Sequence, residues 1–432
     1  MKFNAKKRVT EYIIITVLML IVSLIYKADF VRKDMERKIL QQSSKKTVVI
    51  LFTRESSDSI KLSEDIKKFN IENKDIYIDY QYYGDEYNNL LRLSLQSKDR
   101  PDIFQLGFYD IVDKGKVYTL DEIGTDTNGM ESKRIFTYKG TPIGIKVSGG
   151  TVKFAYNKEI FKKSGLNPEN PPKTFGELLY FARKIKQQNP DVIPFEFPAS
   201  NFGDLKISIG QPSVSKGDIY TSFWDYKNGE YNFNYAKDII KKYNDLYKEG
   251  LIPEDFDKKS IKKVREDFIN QKAAMIISIG DDKKYFEENN LSFDMGITDL
   301  PKFYGQISRK YYYANINVLV MYKNDNDSEK VKKVYKWLYD EYDKLNNEKK
   351  NVKDYKYAEY NNVSYFDFEG NDPTGCFNVN FSKVNDLIYK GIKGQENIEN
   401  VTKSLNSYFN ELKDTKLKQE PDFLKDYIVD KE

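Results

Sequence analysis

Residues 47–106 alternate between two hydrophobic periods, and that order constrains the fold more than any other feature of the chain. Thr47-Val48-Val49-Ile50-Leu51-Phe52 is a short β-branched apolar run, the pattern of a strand covered on both faces. Leu62, Ile66 and Phe69 then fall on one helical face. Ile76, Ile78, Tyr80 and Tyr82 repeat every second residue. Tyr87, Leu90, Leu91 and Leu95 return to helical spacing, and Pro101-Asp102-Ile103-Phe104-Gln105-Leu106 is a further short strand. Strand, helix, strand, helix, strand in that order implies a parallel sheet with helices on its faces, so the fold class is α/β.

The texture changes around Gly140. Residues 140–150 are rich in turn formers, and Val152–Tyr156 look extended. Thr174-Phe175-Gly176-Glu177 is a capping box, in which the threonine oxygen and the glutamate satisfy each other's free backbone amides. Ile239, Ile240, Tyr243 and Leu246 mark a helix that ends at Gly250, with Pro253 beyond it. Ala273–Ile279 and Val318–Met321 are strands, and Val331, Val334, Tyr335, Leu338 and Tyr342 share a helical face. From 343 the chain turns charged and Asn-rich, and residues 351–374 form an irregular insertion. A last helix carries Ile398, Val401, Leu405, Phe409 and Leu412.

Composition removes whole classes of chemistry. The 432 residues include no histidine and one cysteine, Cys376. Histidine-activated nucleophiles, histidine general bases and the usual zinc sites are therefore out of reach. A single cysteine makes no intrachain disulfide or cysteine cluster, and Cys376 is expected to be a buried small residue. With 70 basic and 66 acidic residues the net charge is +4, which gives no reason to invoke nucleic acid. Glycine-rich nucleotide-binding motifs are missing. The chain is expected to have no catalytic residues, cofactor or metal. A glycan hydrolase working through paired carboxylates needs neither histidine nor cysteine and stays as the enzymatic rival.

Residues 12–26, YIIITVLMLIVSLIY, carry no charge and follow Lys2, Lys6, Lys7 and Arg8. This is an export signal that keeps the N-terminus inside and sends the rest out. Tyr26 sits where cleavage before residue 29 would want a small side chain, and no cysteine is near enough to take a lipid. Residues 1–40 are expected to be a membrane anchor, or a removed signal, with a stalk. The rest would lie on the extracellular face, secreted if the signal is cleaved. An exported chain without disulfides fits a Gram-positive surface protein.

Several segments, in order, resemble the extracellular solute-binding proteins of ABC importers, in the carbohydrate-binding group that includes maltose-binding protein. Gly140-Thr141-Pro142-Ile143-Gly144 resembles that family's approach to the hinge, and Phe154 through Phe161 its "YNKxLF" stretch. Ser164 through Leu178 resembles "AGLxxPPKTWDEL", Gln271–Met275 "GKAAM", and Asp299-Leu300-Pro301 "PLP". The resemblance runs over roughly residues 46–415. It implies a two-lobed periplasmic-binding-protein-like fold of type II behind the N-terminal helix. Residues 41–150 plus 306–350 would form lobe 1, and 151–305 plus 375–432 lobe 2. A sugar, oligosaccharide or related polar solute would be gripped between the lobes and delivered to ABC permease subunits. A membrane-anchored ligand sensor on the same scaffold is the alternative.

Ligands of open α/β sheets sit beyond the carboxyl ends of strands. That rule selects Arg54 after the first strand, Phe108, Tyr109 and Asp110 after the third, and Ser148 and Gly149 at the crossover. Asp281 follows the 273–279 strand, and Tyr312 and Asn315 lie near the return crossover. Flat rings for the apolar face of a sugar, with charged groups for its hydroxyls, are what carbohydrate recognition needs. Trp224, in a loop-like stretch, is the candidate stacking platform, whereas Trp337 has a helical position and is expected to be structural. The family often has an aromatic where this chain has Asp281-Asp282. The added negative charge points to a larger glycan, an amino sugar or a cationic solute over a plain neutral hexose.

Overall fold

The computed structural model describes residues 46–84, 86–98, 100–107, 110–125, 134–138, 140–148, 152–214, 216–280, 282–288, 291–303, 317–324, 326–351 and 372–428, a few side chains excepted. The N-terminal hydrophobic run and most of the insertion at 351–374 lie outside them. Among the described residues no helix is long and apolar enough to cross a membrane. The chain divides into two compact units. The described residues of 46–55, 59–104 and 321–337 make up one, and those of 56–58, 105–320 and 338–428 the other.

The first unit realises the βαβαβ order. Strand β1 (Thr47–Arg54) is flanked by β2 (Ile76–Tyr83) and β3 (Ile103–Gln105), both parallel to it. Helices α1 (Ser57–Glu72) and α2 (Tyr87–Ser94) make the crossovers. Val48–Phe52 are all buried, because helices cover both faces of a parallel sheet and leave no side for polar alternation. Trp337 packs its ring 4.6 Å from Phe69, the structural role expected of it.

Asp102 fixes the entry to β3. It is buried, and its Oδ2 accepts the Ile50 amide at 2.7 Å. Its Oδ1 accepts the side-chain amides of Asn326, at 3.0 Å, and of Asn324. Burial pushes the carboxyl up, and the three donated bonds oppose that shift. Asp102→Ala strips the acceptor from all three donors at once. It should cost about 2–3 kcal/mol in urea unfolding; a loss below about 0.5 kcal/mol would show that water replaces the carboxylate.

In the second unit the strands are β4 (Ile135–Tyr138), β5 (Thr141–Ser148), β6 (Val152–Asn157), β7 (Ile193–Glu196), β8 (Trp224–Asp225), β9 (Glu230–Tyr231), β10 (Ala273–Ile279) and β11 (Met295–Thr298). β12 (Asn317–Met321) completes the set. Within this unit strands pair in the orders β12-β5-β4, β11-β6-β10-β7 and β8-β9. Residues 141–148, expected to be turns, are a strand. Gly144 explains the misleading composition. A Cβ there would stand 2.6 Å from the Leu319 carbonyl oxygen, so glycine marks close backbone approach to β12.

The four-stranded sheet is covered on both faces. Phe154, Tyr156, Met275 and Ile277 face one apolar cluster, with helices α4 (Phe175–Gln188) and α5 (Lys237–Lys248). Ala155, Ala273 and Ile276 face another, with Val264 and Phe268 of α6 (Ile261–Ile269) and Phe286 of α7 (Asp282–Glu288). The capping box at Thr174 and Glu177 is present in both directions, which starts α4 where the sequence places it. Helix α3 (Lys158–Lys163) is capped by Asn157. Helix α8 (Ser328–Asn351) follows β12, and α9 (Phe381–Lys393) and α10 (Ile398–Gln419) close the chain. Cys376 is half-buried, its Sγ 3.2 Å from the Tyr427 hydroxyl.

Candidate functional site

The described part of the site begins at the carboxyl ends of β1 and β2. Phe52 and Arg54 stand on the same face of β1, beside Gln81 and Tyr83 of β2 by register. The Arg54 Nη2 donates to Asn88 Oδ1 at 2.7 Å, and its guanidinium lies 4.6 Å from the centre of the Tyr87 ring. Tyr87 is itself fully buried, so the platform beneath the cation is fixed. Tyr83 donates to Gln81 Oε1 at 2.5 Å, and Gln81 donates on to Asp79 at 3.0 Å. The strand ending thus supplies an oriented guanidinium among aromatic and amide groups, chemistry suited to hydroxyl-rich or anionic solutes.

The remaining candidates are placed to different degrees. Asp110 opens a four-residue helix, Asp110–Asp113, just beyond β3. Ser148 is the last residue of β5, opposite Asn317 of β12. Phe108, Tyr109, Gly149, Asp281, Tyr312 and Asn315 lie outside the described residues.

Trp224 is placed otherwise than a stacking platform would be. It lies on β8 opposite Tyr231, is fully buried, and donates its indole N–H to the Tyr427 carbonyl at 2.8 Å. The Tyr231 ring meets it edge-on at 5.1 Å. A ring enclosed on every side offers no face to a solute, and Trp224 is a core residue here. Its hydrogen-bond partner Tyr427 lies 203 positions along the chain, where local patterning does not reach.

Asp282 revises the charge argument attached to Asp281-Asp282. Its carboxylate is fully buried, ion-paired with Arg265, and accepts the Ser278 hydroxyl at 2.6 Å and the Ile279 amide at 2.9 Å. The charge is neutralised inside the unit and caps the end of β10. It gives no support to a cationic solute.

Sequence reasoning missed the carboxyl end of β7. Pro190, Pro194 and Pro198 disguise that strand, since proline argues against a sheet interior. After it, Asp204 Oδ2 accepts the Ser200 amide at 3.0 Å, the Ser200 hydroxyl at 2.6 Å and the Asn201 side-chain amide at 3.0 Å. Burial pushes this carboxyl up despite those bonds. The following helical run Phe202–Val214 contains a π-turn at Lys206–Gly210, a distortion often found beside functional sites.

Known proteins match this architecture. Residues 56–342 match the family described as bacterial extracellular solute-binding protein. The melibiose/raffinose/stachyose-binding protein MelE of Bacillus subtilis is 25% identical over 232 residues, 49% of this chain and 50% of that one. The chain thus spans about half the length of that curated relative. The sugar-binding protein MalE of Xanthomonas citri superposes with a TM-score of 0.66 at 15% identity, covering 87% of this chain and 100% of that one. A solute-binding protein of Thermotoga lettingae, solved with α-D-tagatose, superposes at 0.63 and 18% identity, covering 85% and 99%. The fold is therefore the two-domain α/β architecture of periplasmic binding proteins, reached by a sequence whose family signature spans well over half its length. The chain belongs to the bacterial extracellular solute-binding proteins.

Proposed function

We propose that this chain captures a sugar or small oligosaccharide outside the cell and hands it, chemically unchanged, to the permease of an ABC importer. The family match over residues 56–342 carries this reading. The melibiose-, raffinose- and stachyose-binding relative supports the solute class, as do the sugar-binding structural neighbours. Arg54 is the proposed anchor for solute hydroxyls, oriented by Asn88 and Tyr87. Asp110 and Ser148 of the second unit are further proposed solute contacts, as are Phe108, Tyr109, Gly149, Asp281, Tyr312 and Asn315, which lie outside the described residues. Trp224 leaves the set. The uncharged run 12–26 is the proposed tether that keeps the binder at the outer membrane face.

A thermal-shift panel on the full chain tests the reading, with melibiose, raffinose, stachyose, tagatose, maltose, an amino sugar and a polyamine as probes. A cognate sugar at 100 times its Kd should stabilise the fold by about 2.7 kcal/mol. Arg54→Ala should then weaken that sugar about 10- to 100-fold by titration calorimetry, the worth of a charge-assisted hydrogen bond or two. A shift with the polyamine alone, or cleavage of the sugar during incubation, overturns the carbohydrate-binding proposal.

A further inference from the structure

The described part of the second unit buries a charge cluster that solute binding does not account for. Glu196, the last residue of β7, is fully buried, and neither of its carboxyl oxygens has a well-aligned hydrogen bond. Lys259 Nζ lies 3.0 Å from Glu196 Oε1 and donates to Asp267 Oδ2 at 2.9 Å. Lys259 and Asp267 are buried as well. Asp267 has a second cation, Lys263, whose Nζ reaches Oδ1 at 3.1 Å from the surface of α6. Asp255 stands at the rim, 3.8 Å from Lys259. One buried ammonium therefore serves two buried carboxylates, and only Asp267 has further help. Glu196 is the member left short of positive charge. The negative charge of Asp267 adds to the push that burial gives Glu196. Burial, only partly opposed by Lys259, pushes Glu196 up to about 7.

The same lysine holds the loop that leaves β7. Its carbonyl accepts the amides of Ala199 at 2.7 Å and Ser200 at 3.2 Å. Other ionisable groups around this loop include Asp204, on which Arg265 acts, Tyr243, whose ring lies 4.3 Å from that of Phe197, and Tyr389 of α9, which donates to the Ala199 carbonyl. The Asp257–Lys393 pair lies nearby, 2.6 Å apart. Loops at strand carboxyl ends are where α/β sheets bind ligands.

We propose that Glu196, Lys259 and Asp267 form a proton-operated latch on the 197–200 loop. With Glu196 protonated, Asp267 alone claims the ammonium, Lys259 stays seated, and its carbonyl holds the loop. With Glu196 ionised, two buried negative charges compete for one ammonium and the loop loosens. The carboxyl of Glu196 is raised above its ordinary 4.5 in the folded chain. The stabilisation is thus fully present below about pH 4.5 and is lost as pH rises through about 7.

The test compares the full chain with Glu196→Gln between pH 5 and 8, without solute. The Tm of the parent should fall relative to the variant, with an inflection near pH 7. Amide exchange at Ala199 and Ser200, corrected for its intrinsic pH dependence, should quicken about tenfold in the parent and stay slow in the variant. Asp267→Asn leaves Glu196 alone with Lys259, so its inflection should move to lower pH. Parallel Tm profiles for parent and Glu196→Gln overturn the latch. If the variants do not fold, carboxyl NMR of Glu196 in the parent decides: titration near 7 supports the latch, and titration near 4.5 overturns it.

Discussion

Trp224→Ala is expected to cost about 3–5 kcal/mol in urea unfolding, the range for deleting a fully buried large aromatic. The indole has no exposed surface and packs against Tyr231, which in turn lies 4.8 Å from Phe409 of α10. Its N–H is the donor to the Tyr427 carbonyl, so truncation leaves both a cavity and an unmade hydrogen bond. Phe423 and Tyr427 of the C-terminal segment pack 5.3 Å apart, so the cavity would open beneath that segment. Trp224→Phe keeps most of the volume and loses the N–H, and should cost only about 1–2 kcal/mol. Solute affinity of Trp224→Phe should match the parent. A loss under about 1 kcal/mol for the alanine variant, together with weakened sugar binding, would return Trp224 to the solute site.

Gly210→Ala should destabilise by about 3 kcal/mol, at the upper end of overpacking costs. A Cβ at Gly210 would stand 2.2 Å from the Thr221 carbonyl oxygen and 2.9 Å from its carbonyl carbon. Those are backbone atoms, which cannot rotate away. The chain opposite is already constrained. Tyr220–Phe223 is a buried turn closed by the Phe223 amide on the Tyr220 carbonyl at 2.8 Å, with Phe223 at a φ of 67°. That left-handed conformation is strained for a bulky residue, and stacking of its ring 4.4 Å from Phe233 helps to hold it. Gly176→Ala is the control. It lies in the first turn of α4 with its nearest atom 3.9 Å away, so alanine should be neutral or mildly stabilising. Equal losses at the two positions would mean that backbone freedom, not contact with Thr221, makes glycine necessary at 210.

Legibility in the sequence followed the range of the interactions. The βαβαβ order from 47 to 106 was readable because each strand or helix announces itself within a few residues. The α4 cap was readable because its partners are three residues apart. The strand 141–148 was not, since glycine and proline signal turns locally while the pairing that overrides them comes from β12. β7 was hidden by its prolines for the same reason, although its pairing with β10 is regular at Ala273↔Ile193 and Met275↔Phe195. At the candidate site, Arg54 was found by a general rule about strand ends. Its orienting partners Asn88 and Tyr87 come from α2, 34 and 33 positions on, and only the fold brings them to it.

By itself the sequence determined the α/β class, the lack of histidine chemistry and the ordered family motifs, since all of these depend on residue identity and short-range spacing. Tertiary structure decided which candidates have a free face and which charges are already answered. Trp224 meets Tyr427 across 203 positions, Asp282 is neutralised by Arg265 on the preceding helix, and Glu196 shares a lysine 63 positions on. Burial and charge compensation are sums over neighbours in space. No local period encodes them, and they arise only where the folded chain brings those neighbours together.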